Sequence, residues 1–357
     1  MLALLTLNAL PKLGPIRIRR LLDHFGSADT ILAQPSRELQ QVPGIGPEIA
    51  SIITKWSTHF DPEAELTRCQ KSGIDILTPD SPLWPASLSQ QPDSPVLLYL
   101  KGTLTPAHHH AIAIVGSRQC THYGRSITRQ FTQHLGLAGY SIISGLARGI
   151  DTEAHRASLD FGHRTIAVIG SGLHRLYPPE NEDLAAQIAE QNGALISEFP
   201  LRYPPDKQTF PQRNRIVAAW SSAVLVTECR AKSGSLITAS FASENGLPVF
   251  AVPGPVDRPS SAGCHDLIRN GAILATEPNH LLDELGQLPL PDSEPAPPPN
   301  LTATEHLLFE HLSSDPATID DLASRTRLPV HEVSANLLSL EIKGAVKQYT
   351  GQKFTRS

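Results

Sequence analysis

The residues in this chain with chemistry in them gather in short segments that each follow an apolar run. Gly116-Ser117-Arg118 closes A-I-A-I-V, and Ser144-Gly145-Leu146-Ala147-Arg148-Gly149 follows S-I-I. Glycine lets a backbone approach an anion. The start of a helix aims N–H groups at it, and arginine adds two donors in one plane. Both strand ends are therefore expected to present free backbone amides to a phosphate. An ordinary turn glycine beside a surface arginine would look the same. Gly170-Ser171-Gly172 ends a third run, but Arg175 stands where G-x-G-x-x-G needs its last glycine, which disfavours a dinucleotide cofactor.

Two further segments combine charge with other groups. The run Lys207-Gln208-Thr209-Phe210-Pro211-Gln212-Arg213-Asn214-Arg215 holds one aromatic, three cations and side-chain amides. A base can stack on Phe210 while the cations hold flanking phosphates, and Pro211 is placed to start a helix. The segment also fits an amphipathic helix with Phe210 in the core and its arginines in water. Lys232-Ser233-Gly234-Ser235 follows A-V-L-V-T-E and opens another helix, either as a phosphate nest or as an N-cap at Ser233 or Ser235. All these segments lie after strands of one sheet. Arg118, Arg148, Lys207, Arg213, Arg215 and Lys232 are therefore expected to converge in one groove.

Other constellations are weaker. His108–His110 is read as a solvated connector, since no carboxylate or cysteine spacing completes a metal site. Asp151, Glu198 and Glu228 have acid/base chemistry, but acids at strand ends also cap helices and pair with arginines. Cys69, Cys120, Cys229 and Cys264 form no C-x-x-C pair and read as reduced thiols. No cofactor or metal is expected. Near the start, L-P-K-L-G-P and V-P-G-I-G-P each read as a tight hairpin between helices that can aim amides at a DNA phosphate. Lys12, Arg17, Arg19 and Arg20 lie beside the first; a purely structural bundle is the other possibility.

These segments need a scaffold. Apolar runs at 111–115, 140–144, 165–169, 194–197, 223–227, 248–252 and 272–275 read as strands buried on both faces. Helical spacing falls between them at 124–137, 151–161, 181–191, 211–221, 235–245 and 266–270. The alternation predicts an α/β fold with a Rossmann-like, doubly wound, mostly parallel sheet. Residues 1–70 read as a helical, helix-hairpin-helix or SAM-like domain, and 71–288 as the sheet domain with an extended lead-in. Residues 289–300 form a proline-rich linker. Residues 301–357 read as a winged helix, with a hairpin around Thr350-Gly351. Its expected recognition helix, V-H-E-V-S-A-N-L-L-S-L-E-I, carries no Lys or Arg; cations collect in the wing at Lys343, Lys347, Lys353 and Arg356. Weak backbone contact or a protein partner suits that face better than major-groove reading. The net charge of −5 means that nucleic-acid binding must come from a local patch. The apolar start lacks the basic region of a signal peptide, and no apolar run approaches membrane-spanning length.

Together these residues resemble the DNA-processing protein A (DprA, also called Smf) family, closely over about 72–288. The marks are I-V-G-S-R, S-G-L-A-R-G-I-D-T-E-A-H, Y-P-P-E-N, S-E-F-P, F-P-Q-R-N-R-I, K-S-G-S-L-I-T-A and V-P-G. The resemblance implies a cytoplasmic protein that binds single-stranded DNA and loads the RecA recombinase on it in natural transformation. It also implies a homodimer with no membrane association. It would place Arg118, Lys207 and Phe210 in the DNA pocket, with Arg213, Asn214, Arg215 and Lys232 near it. For the dimer and RecA faces, 264–274 with Leu281, Leu282 and Leu285 are the candidates.

A nucleotide-processing enzyme is the competing class. Phosphoribohydrolases of related fold carry P-G-G-x-G-T-x-x-E where this chain has K-S-G-S-L-I-T-A, and the glutamate is absent here. A transcription regulator acting through 301–357 is a third possibility.

Overall fold

The computed structural model describes residues 1–191, 193–286, 301–312, 316–343, 345–349 and 353–356. The 289–300 spacer and the turn at Thr350-Gly351 lie outside them. The chain divides into two compact units, the larger built from most of the first 287 residues and the smaller mainly from the C-terminal module.

The larger unit is organised on a nine-stranded sheet. Its strands are β1 (Ile74–Leu77), β2 (Leu98–Gly102), β3 (Ala111–Val115), β4 (Ser141–Ser144), β5 (Thr165–Ile169), β6 (Gly193–Ser197), β7 (Ala223–Val226), β8 (Val249–Ala251) and β9 (Ile273–Leu274). The spatial order is β1-β2-β6-β5-β4-β3-β7-β8-β9. From β6 to β9 every pairing is parallel; β1 and β2 add antiparallel strands at the β6 edge. The lead-in thus extends the sheet itself. Chain order reverses between β3 and β7, so a crevice must open there beyond the strands' carboxyl ends.

Side chains alternate between two cores, as the strand pleat requires. Ile166 and Val168 of β5 join one cluster with Ala113, Val224, Val226 and the helix Thr209–Trp220. Ala167 and Ile169 join the other, with Leu184, Ile188 and the N-terminal residues Leu5, Leu7, Ile18, Leu21 and Ile53. The N-terminal helices therefore share a core with one face of the sheet, and the boundary expected at residue 70 does not separate two cores. Their hairpins precede Gly14-Pro15 and Gly46-Pro47, which start the helices Pro15–Phe25 and Pro47–Thr54. Arg17 donates to the carbonyls of Gly44 and Lys12, both at 3.0 Å, and Arg20 donates to that of Pro43 at 3.2 Å. These arginines tie one hairpin to the other.

Three expectations fail here. His108 is buried rather than solvated: its Nδ1 accepts from the Thr105 amide, and its carbonyl accepts from the Trp220 indole N–H at 3.1 Å. Leu281 and Leu282 are fully buried and offer nothing to a partner, as is Cys264; Leu274 is exposed. The helix expected from Pro211 begins at Thr209, whose hydroxyl donates to the Gly170 and Asp206 carbonyls.

The smaller unit packs the helices Ala303–His311, Ile319–Thr326 and Val330–Ile342 against a three-stranded antiparallel sheet. Leu308, Leu322, Val333, Leu337, Val346 and Phe354 form its core. Capping boxes at Thr302/Glu305 and Thr318/Asp321 fix two helix starts. No described helix is long and apolar enough to cross a membrane.

Candidate nucleic-acid interface

A cavity of about 700 Å³ occupies the crevice between the ends of β3 and β7. Three loops and parts of three helices build it. The loop after β3 brings Gly116, Ser117 and Arg118. The loop after β4 brings Gly145 and Arg148, and the loop after β7 brings Arg230, Lys232, Ser233, Gly234 and Ser235. The start of Thr209–Trp220 brings Phe210, Arg213 and Asn214, with Lys207 just before it.

Arg118 lies over Phe210, its guanidinium carbon 5.4 Å from the ring centre. Phe210 is half-buried, and Tyr177 stands 5.8 Å from it at a 45° tilt. Arg118, Lys207, Arg230 and Lys232 are exposed. Arg148 pairs with Glu180 and sits 5.7 Å from the Tyr177 ring centre. Asp151 is the one carboxylate among the lining residues. The cavity is thus strongly cationic on a chain of net charge −5, the condition for steering a polyanion locally.

The amides expected to be free are largely used within the fold. Gly145 N and Ala147 N donate to Asp151 Oδ2 at 3.1 and 3.3 Å. Ser117 N donates to the Glu228 carbonyl at 2.7 Å, and Gln119 N to the Ser117 hydroxyl at 3.1 Å. Ser235 N donates to the Ser233 hydroxyl at 3.4 Å. Asp151 thus takes up the Gly145 and Ala147 amides, and the charged groups that face the cavity are chiefly side-chain cations. Burial pushes the Asp151 carboxyl up in pKa, while the charge of Arg213 and the two amides oppose that shift.

Arg213 floors the cavity. It is buried, its Nη1 donates to the Val168 carbonyl at 2.6 Å, and its Nε has no hydrogen-bond partner. The guanidinium lies against Gly145, where a Cβ would come within 1.9 Å of Nη1. Burial lowers its pKa to about 10; Asp151 opposes this and Arg118 reinforces it. Asn214 Nδ2 reaches the Gly234 carbonyl at 3.4 Å and links the helix to the β7 loop.

Three expected residues do not line the cavity. Ser144 is buried, its hydroxyl donating to the Ile114 carbonyl at 2.6 Å. Gly170 lies behind Phe210, where a Cβ would come within 2.9 Å of the ring. Arg215 is buried in an ion pair, its Nη2 donating to Glu198 Oε1 at 2.6 Å and Oε2 at 2.5 Å, with Asp93 3.6 Å from Nε. Burial raises the Glu198 pKa and the Arg215 charge lowers it. Conversely, Tyr177 and Arg230 were not singled out from sequence. The only signal for them was position, in Y-P-P-E-N and just before A-K-S-G-S. Among the described residues, no group of three or more His, Cys, Asp or Glu could hold a metal ion.

Comparison with known proteins adds lineage to this geometry. A family model described as DNA recombination-mediator protein A matches residues 75–286, and one for the DprA winged helix domain matches 292–352. Protein Smf of Synechocystis sp. is 35% identical over 96% of this chain and 95% of its own length. The DNA processing protein DprA of Streptococcus pneumoniae is 43% identical over 56% of this chain and 71% of its own. The X-ray structure of the S. pneumoniae protein superposes with a TM-score of 0.67 at 35% identity, covering 76% of this chain and 94% of that one. A structure of DNA processing protein A from Helicobacter pylori, which concerns that protein's single-stranded DNA binding mode, gives 0.54 at 28% identity over 59% of this chain and 95% of that one.

Proposed function

The chain belongs to the DNA recombination-mediator protein A (DprA/Smf) family, and on that premise we propose that it binds single-stranded DNA without catalysis, in the cationic cavity at the reversal point of its sheet. The observation that carries this reading is the half-buried Phe210 ring with Arg118 over it, flanked by Lys207, Arg230 and Lys232. An unpaired base has an aromatic face to stack on, and the phosphates on either side meet exposed cations. A duplex keeps its bases stacked inside and cannot use Phe210 in this way.

The state of Asp151 supports a role without catalysis. General acid–base chemistry needs a proton-transferring side chain free to reach its substrate. The one carboxyl lining this cavity is held by two backbone amides, and no His, Cys or Tyr is among the described residues that line it. The bound strand would then be passed to RecA by a homodimer in the cytoplasm, as the family resemblance implies.

Titrating labelled single- and double-stranded oligonucleotides tests the binding. Tighter binding of the single strand, weakened by Lys207→Ala, is expected; equal affinity for both strands would overturn it. RecA loading is read from strand exchange on DNA precoated with single-strand-binding protein. Incubation with nucleoside monophosphates should release no free base.

A further inference from the structure

Two thiols far apart in sequence meet behind one wall of the cavity. Cys229 Sγ and Cys264 Sγ are 3.8 Å apart, and both side chains are buried. Cys229 begins the stretch after β7 that carries Arg230, Lys232 and Ser233. Cys264 is in the helix Ala262–Arg269, which follows β8. Gly263 makes the approach possible: its amide donates to the Cys229 carbonyl at 2.9 Å, and a Cβ there would lie 2.5 Å from Cys229 Sγ. Any other residue at 263 would push the helix start off the loop.

We propose that Cys229 and Cys264 form a peroxide-closable dithiol, a modification site whose disulfide holds the loop bearing Arg230 and Lys232 against the helix Ala262–Arg269.

The two sulfurs are not equivalent. The hydrogen bond between the two sulfurs lowers the Cys229 pKa against burial, and one with Ser235 adds to it. Cys264 is raised by the same hydrogen bond and by burial. Its sulfur also lies 3.6 Å from the Val226 carbonyl. Cys229, whose hydrogen-bond partner Ser235 lines the cavity, is the sulfur an oxidant entering there meets first and so the one that attacks; Cys264 resolves. Ser235 lines the cavity, so a small oxidant there is one residue from Cys229.

Cys229 thiolate attacks one oxygen of hydrogen peroxide; the O–O bond breaks, and the other oxygen leaves as hydroxide and is protonated to water. The resulting sulfenic acid is attacked by Cys264 sulfur. An S–S bond forms, the S–O bond breaks, and a second water leaves with the Cys264 proton. Two thiols have lost two electrons and peroxide has gained them. Closing to a bond of roughly 2.0 Å draws the sulfurs together by nearly half their present separation. Cys229 then turns from Ser235 toward the helix, and the Arg230–Lys232 stretch retreats from the cavity with it.

The test uses the full wild-type chain, free of DNA, exposed to hydrogen peroxide and then mapped by differential alkylation and mass spectrometry. The Cys229 and Cys264 peptides should become joined, both thiols should disappear together, and a dithiol reductant should restore them. In Cys264→Ser, Cys229 should stop at a sulfenic acid trapped by dimedone. Thiols that survive oxidation, or a Cys229 adduct without cross-link in wild type, would overturn the proposal. The oxidised chain should also bind single-stranded DNA about threefold more weakly than the reduced chain; unchanged affinity in a cross-linked chain would refute the effect on the loop. Because the cross-link is read by mass, it stands or falls separately from DNA binding.

Discussion

The guanidinium of Arg118 lies over the Phe210 ring, 5.4 Å from its centre, and the same ring packs beside Gly170, where a Cβ would come within 2.9 Å of it. The pair joins the end of β3 to the start of the helix Thr209–Trp220. The ring is thus seated by the fold beside Gly170 and met by an exposed cation, and displacing that cation would open it to a flat base. A cation–π contact at an exposed site contributes only about 0.5–1 kcal/mol, so displacing Arg118 costs little.

Phe210→Ala should weaken single-strand affinity by about 1–3 kcal/mol, the usual loss for one stacked base. The dependence on salt should stay as in wild type, because no cation is lost. Fluorescence anisotropy on an oligo-dT at fixed salt reads the first quantity, and a salt series reads the second. Wild-type affinity in Phe210→Ala would remove stacking from the mechanism.

Arg215→Ala should act on stability instead. It leaves Glu198 buried without its partner, at a cost of about 3–5 kcal/mol for breaking a buried pair. Thermal or urea denaturation should show that loss, while the fraction that remains folded keeps the wild-type salt dependence of binding. A variant as stable as wild type but defective in binding would place Arg215 at the DNA.

His155 predicts a pH effect. Its ring is fully buried against the Thr165 hydroxyl, 2.8 Å from Nδ1, and burial lowers its pKa to about 3, with Arg213 adding to the shift. The unfolded chain takes up this proton near pH 6.5, and the folded chain refuses it until about pH 3. The stability is therefore present above 6.5 and is lost as pH falls, at about 1.4 kcal/mol per unit. Asp151 and Glu198, both raised, contribute slopes of the opposite sign. The measurement is therefore the difference in urea stability between wild type and His155→Gln, which should narrow between pH 6.5 and 5. A constant difference would contradict it.

In the smaller unit, Glu305 accepts from Lys343 Nζ at 2.7 and 2.8 Å and from the Ser339 hydroxyl at 2.6 Å. The Lys343 contact, followed by Ser339 and the Thr302 amide, lowers its pKa to about 2. The folded pKa lies below the unfolded one. The stabilisation is therefore full above pH 4.5 and fades as pH falls toward 2. Unfolding of the C-terminal module should become easier across that window in wild type and less steeply so in Glu305→Gln, where Asp321, also lowered by its Thr318 hydrogen bonds, still titrates; hydrogen exchange in Val330–Ile342 reads the difference.

Much of this was legible in the sequence, for identifiable reasons. β3 and β5 fall at 111–115 and 165–169 because each is a short apolar run buried on both faces and closed by glycine. The cations of the β3, β4 and β7 loops converge because parallel strands send those loops to one edge. Arg215 was misplaced by helix geometry. Residues two apart on a helix point to nearly opposite sides, so Arg213 and Arg215 cannot both face one groove. The fate of the amides was hidden because Asp151 folds back from the start of the following helix onto Gly145 and Ala147, six and four residues earlier, a contact that no residue spacing announces. The meeting of Cys229 with Cys264 was hidden for the same reason.

The most direct test is a salt titration of single-strand affinity for wild type beside Arg118→Ala. Wild-type affinity should fall steeply with salt, and the variant should be weaker with a log–log slope shallower by roughly 0.7, the value for one phosphate contact on a single strand. Identical slopes and affinities, or wild-type binding indifferent to salt, would contradict a cavity that holds DNA by its side-chain cations.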